Sequence, residues 1–139
     1  TTPPLSSFKT REIVTQDKNL IQMLQTPVAW SLLFTSTILV GAGTVETNNM
    51  GQMVEALGFP STVTPASMAL FSVAQAAGRV LTGSLSEAAW QSRYRVPRPV
   101  FLVLASALSV CAHVLLALAW HQNVFLVGAA LSGMAFGMV

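Results

Sequence analysis

The chain has 139 residues, 53% of them hydrophobic and only 9% charged, against about a quarter charged in an ordinary soluble domain. Its apolar residues fall in long blocks instead of at amphipathic spacing, which argues against a water-soluble bundle and makes lipid the expected solvent. The net charge of +2 comes from cations gathered in two zones. One holds Lys9, Arg11 and Lys18; the other holds Arg79, Arg93, Arg95 and Arg98 around a central loop.

The second zone lies between two apolar blocks, so a cytoplasmic loop is a simpler account of it than a nucleic-acid surface. Cys111 is the single cysteine. That excludes an internal disulfide and a cysteine-based zinc site, and its mid-block position predicts a small buried hydrophobe. The polar start, TTPPLSSFKTRE, has no signal-peptide pattern and no initiator Met. With an apolar run reaching Met138 and Val139, the chain reads as a fragment.

Residues 1–26 form a polar leader. Leu20, Ile21, Met23 and Leu24 near its end are spaced for one side of a short helix, so the leader is expected to be a cytoplasmic linker followed by an interfacial helix. A first span is predicted over 27–47, PVAWSLLFTSTILVGAGTVET, close to the roughly 20 residues that cross about 30 Å of hydrocarbon. Gly41, Gly43 and Thr44 lower helix propensity near its outer end, where a transporter helix often breaks. Glu46 closes this span. It is read either as a gate or proton-binding carboxylate, or as a solvated glutamate at the start of an outer loop over 48–64.

The second span is predicted over 65–86, with Arg79 as its one charge. Gln75 sits near mid-depth, and an amide there needs partners from another helix or from a polar solute in a cavity; the cavity is the preferred reading. Arg79, Gly83 and Glu87 repeat at i, i+4 and i+8 and share one helix face. They form either a cytoplasmic gate or a static topological anchor. Gly78 and Gly83 would each let another backbone come close. The loop 87–98 is basic and expected in the cytoplasm.

The third span is predicted over 100–120. His113 lies in its outer half, with Ser106 and Ser109 behind it. It is the second substrate-cavity candidate, although a lone histidine on an apolar span is more often a hydrogen-bonded packing element. No His, Asp or Cys accompanies it at metal spacing, so no metal and no cofactor are expected. The fourth span, 124–139, is short of a full crossing. Gly128, Ser132, Gly133 and Gly137 give it a small-residue packing face. Pro27, Pro65 and Pro99 stand at span starts, where a missing N–H costs nothing, and Trp30, Trp90 and Trp120 stand near span ends as interfacial anchors. No nucleophile elbow, HExxH or Walker loop occurs, and no enzyme activity is expected.

Several strings together resemble the C-terminal half of nodulin-like proteins of the major facilitator superfamily, the branch containing the plant nuclear-fusion-defective proteins. They are GAGTVETNNMGQMVEALGFP, AGRVLTGSLSE with the following PRP, AHVLLAL and LSGMAFGMV, in order over some 120 residues. The resemblance implies an all-α membrane fold of twelve helices. This chain would supply helices seven to nine and a truncated ten, facing an N-terminal half of the same parent chain. It implies secondary transport of a small solute by alternating access; a non-transporting sensor or scaffold on the same fold is the alternative. It matches Gly78, Arg79, Gly83, Ser86 and Glu87 to a GR…G…SE motif, and Asn49, Gly51 and Gln52 to a DNxGQ-like motif. Asn48 stands where that motif usually begins with aspartate, a departure that removes the carboxylate expected for proton coupling unless Glu46 substitutes for it.

Overall fold

The computed structural model describes residues 19–91, 97 and 99–139, and every described element is helical. The leader over 1–18 and the Arg93, Arg95 and Arg98 part of the basic loop lie outside the described residues, as does the positive charge they carry.

Asn19 opens the first helix, α1 (Leu20–Leu24), its backbone N–H donating to Gln22 Oε1 at 3.1 Å. All five residues of α1 are exposed. The Trp30 indole then reaches back to the Leu24 carbonyl at 2.8 Å, fastening this turn to the helix that follows.

α2 (Pro27–Ala56) starts on its proline and runs for 30 residues. It therefore does not stop at residue 47, and the expected loop over 48–64 shrinks to the short turn 57–62. The reason is visible in the side chains. Glu46, Met50 and Val54 recur every four residues on one buried face, and each added turn gains core contact that outweighs the weak helix propensity of Asn48 and Asn49. Asn49 also donates from Nδ2 to the Val45 carbonyl at 2.7 Å, which occupies the side chain within the helix. The glycines at 41 and 43 do not break α2. Gly43 lies under the Phe136 ring, where an added Cβ would come within 2.7 Å of it.

α2 ends at Leu57, and Gly58 takes φ +69° to turn the chain, a left-handed conformation that glycine adopts without a Cβ penalty. α3 (Val63–Gln91) returns as a second long helix. α4 (Pro99–Ala117) begins on Pro99, and α5 (Gln122–Gly137) begins after His121, whose Nδ1 accepts from the Asn123 N–H at 3.2 Å.

α5 packs along both α3 and α4, while α2 makes smaller contacts with all three. The α3–α5 crossing is backbone on backbone. A Cβ on Gly133 would run into the Phe71 backbone, one on Gly137 into the Gln75 backbone, and one on Gly78 into the Met134 carbonyl. Gly128 lies instead against the Leu116 side chain of α4. Gly83 has nothing within 4 Å of such an atom among the described residues, so no described helix packs on it.

The hydrophobic core gathers at one end of the bundle, where the turns α2–α3 and α4–α5 lie. Met50, Val54, Val63, Phe71, Leu116, Phe125 and Ala129 fill it, and Phe59 from the turn meets Phe125 edge to face at 6.0 Å. Elsewhere many of the large apolar side chains point outward, among them Phe34, Ile38, Val73, Val103 and Val110. Cys111 joins them, exposed on α4 and not buried as its sequence position suggests. Two helices, α2 and α4, are long and apolar enough to cross a membrane. α5 is apolar but has 16 residues, about 24 Å of helix. α3 is longer but interrupts its apolar face with Gln75, Arg79 and a series of hydroxyls.

Candidate functional site

The face of α2 that meets α4 carries Ala42, Val45, Glu46, Asn49 and Met53. These recur at i, i+3, i+4, i+7 and i+11, the spacing of a single helical stripe. His113, Leu116 and Ala117 on α4 repeat the pattern. Between the two stripes lies a cavity of about 650 Å³, within the roughly 300–1,000 Å³ range of small-molecule sites. Its walls are apolar except at Glu46, Asn49 and His113.

Glu46 dominates the chemistry. It is 4% exposed, which replaces the reading of a solvated loop-end glutamate. Two causes act together: α2 continues past it, and α5 brings Ser132 against it. Ser132, itself buried, donates its hydroxyl to Glu46 Oε2. Glu46 Oε1 is buried with no hydrogen-bond partner among the described residues. A carboxylate removed from water and satisfied on one oxygen is costly to keep, and a bundle that keeps one at a cavity wall has an open demand for a proton or a cation there.

The other two polar groups are partly committed. His113 Nδ1 lies 2.7 Å from the Ser109 carbonyl, the bond of an Nδ1–H donor, with the Ser109 hydroxyl at 3.4 Å. Ser106 does not join them; its hydroxyl donates to the Leu102 carbonyl at 2.8 Å. The Asn49 amide is turned back on Val45.

The other sequence candidates lie elsewhere. Asn48 and Gln52 are exposed on α2 and do not line this cavity. Gln75 is half-buried on α3, its backbone pressed against Gly137, and is likewise absent from the cavity wall. Arg79 and Gly83 line a separate groove of about 540 Å³ at the opposite end, with Val40, Thr82 and Phe136. Glu87 is exposed two turns beyond Arg79 and accepts from Gln91 Nε2 at 2.9 Å. Among the described residues no group of three His, Cys, Asp or Glu side chains is placed to hold a metal.

Ser132 was legible only as a small packing residue among glycines, since nothing near it in sequence marks its partner on α2. Asn49 and Glu46 could have been paired from spacing alone, because i and i+3 share a helix face. Comparison of the chain with known protein families, with characterised proteins and with solved structures finds no match.

Proposed function

We propose that the chain is part of a multi-pass membrane protein, four helices from the second half of a major-facilitator-type secondary transporter that moves a small solute by alternating access. The observation that carries this reading is the buried Glu46 carboxylate at the wall of an inter-helix cavity. An ionisable group held inside a membrane bundle marks a solute or ion pathway by default.

Three further features support the membrane setting. Only 11% of the most apolar stretch of α2, and 17% of that of α4, is buried inside the bundle, the reverse of a soluble core helix. Hydroxyls on the helices donate back to their own helix: Thr35 to Ser31, Thr37 to Leu33, Thr44 to Val40, Ser72 to Met68 and Ser84 to Val80. This is how a polar side chain satisfies itself without water. The resemblance of GAGTVETNNMGQMVEALGFP and AGRVLTGSLSE to the nodulin-like branch supplies the transporter class.

In this reading α3 and α5 complete the four crossings. The amino terminus and the basic stretch 87–98, which includes the last turn of α3, face the cytoplasm on the strength of their cations. The Arg79 groove with Glu87 is the inner gate, and the stretch from Glu46 to Gln52 is the outer one. Rocking against an N-terminal half of the parent chain would expose the cavity to each side in turn.

The test is solute flux into proteoliposomes holding the intact parent protein. Arg79→Ala with Glu87→Ala is expected to lower flux at least tenfold, and unchanged flux removes the gate. Solute-dependent thermal stabilisation without any flux would instead identify a sensor or scaffold on the same fold.

A further inference from the structure

The cavity between α2 and α4 offers more acceptors than donors. Of its polar groups, Asn49 already spends an N–H on the Val45 carbonyl and His113 spends its Nδ1–H on the Ser109 carbonyl. What remains is the second N–H of the Asn49 amide against a set of acceptors: the Asn49 Oδ1, the His113 Nε2 and the Glu46 Oε1, the last buried with no partner among the described residues. Among the described residues that line it, Glu46 carries the one formal negative charge and none is a Lys or Arg. The rest of the lining, Ala42, Val45, Met53 and Leu116, is apolar.

A ligand that completes this set must donate, must be cationic or protic, and must bring an apolar body. An anion would face Glu46 with no cation to offset it. A neutral alcohol offers one donor and leaves the carboxylate charge unanswered. A primary ammonium offers three donors and no acceptor, and it neutralises a carboxylate that is itself buried, where an unpaired charge costs most.

We infer that this cavity is a binding site for a small primary ammonium compound with an aliphatic body, its nitrogen held by Glu46 and its hydrocarbon against Val45, Met53 and Leu116. The assignment rests on the transport reading above only in calling the ligand a substrate. Ser132 is a positioning residue here: by holding Oε2 it leaves the buried Oε1 as the oxygen that the ammonium must reach.

The test is calorimetric titration of the full chain in detergent micelles at pH 7.4 with cyclohexylammonium, cyclohexanol and cyclohexanecarboxylate, which share a body and differ in head group. Cyclohexylammonium is expected to bind at least tenfold more tightly than cyclohexanol, with no binding of the carboxylate. Glu46→Gln keeps an acceptor for Ser132 and should reduce the ammonium to the affinity of the alcohol. Equal binding of ammonium and alcohol, or full ammonium affinity in Glu46→Gln, overturns the assignment. The head-group comparison on the unsubstituted chain needs no variant to fold.

Proteoliposome flux separates the two readings. Selective ammonium binding without flux of that amine keeps the site and removes transport. Flux of a solute without ammonium selectivity keeps transport and overturns the site.

Discussion

The two ends of this bundle treat their ionisable residues in opposite ways. At the end with the α2–α3 and α4–α5 turns, Glu46 is buried beside the aromatic and aliphatic core and tied to Ser132 on another helix. At the other end Arg79 is exposed in a groove whose walls include a glycine with open space above it. The side chains explain part of this. A guanidinium on a long stem carries its charge well away from its helix, whereas a glutamate one turn from the core has no such reach and needs a partner nearby. Helix packing explains the rest. α5 crosses α3 closely enough at Gly133 and Gly137 to carry Ser132 to α2, and the glycine face thereby creates the polar contact.

The crossing is the part whose loss should cost most. Gly133→Val would drive a branched side chain into the Phe71 backbone, and backbone cannot rotate away as a rotamer can. A destabilisation of about 3 kcal/mol, at the upper end of ordinary overpacking, is expected in thermal unfolding of the detergent-solubilised chain. Gly128→Ala meets the flexible Leu116 side chain and should cost about 1 kcal/mol. Equal effects at the two positions would mean that α5 does not sit on α3 through its backbone.

The hydrogen bond that the crossing delivers comes next. Ser132→Ala leaves both Glu46 oxygens without a described partner. Interhelical hydrogen bonds inside membranes are worth about 0.6 kcal/mol on average and up to about 1.7, and a buried carboxyl acceptor puts this one above that average. A double-mutant cycle between Ser132→Ala and Glu46→Leu should return a coupling of about 1 kcal/mol. Coupling below about 0.3 kcal/mol would remove the contact from the account, since independent sites add within that margin.

This contact also marks the limit of what local sequence could disclose. Pro27 and Pro99 announced the first residues of α2 and α4 because a proline's fixed φ and missing N–H suit the start of a helix. The long apolar runs announced helices whose large apolar side chains the bundle leaves exposed. The stretch after Thr47 misled, since Thr-Asn-Asn-Met-Gly has the composition of a loop and becomes helix through the burial of Met50 and Val54, a tertiary cause. Glu46 was visible as a candidate but not as a buried one, because the serine that holds it lies 86 residues away. Gly83 and Gly78 looked equivalent by spacing. Only the path of α5 separates them, one against the Met134 carbonyl and the other against open space.

The smallest expected effects belong to the open end, and they bear on whether that end is a working surface or merely unfinished packing. Gly83→Ala adds a methyl group where no atom lies within 4 Å and removes the conformational freedom that makes glycine a poor helix former. It should therefore stabilise the chain by roughly 0.5–1 kcal/mol, with the opposite sign to every glycine on α5. Arg79→Gln, exposed in the same groove, should shift stability by less than about 0.5 kcal/mol, as surface substitutions do. If the groove is the inner gate, these two changes lower flux in proteoliposomes while stability holds or rises. A groove that is only a gap in the packing would instead let Gly83→Ala transport normally. Measuring unfolding and flux on the same two variants thus decides between them, because a packing defect and a gate predict the same stability and opposite transport.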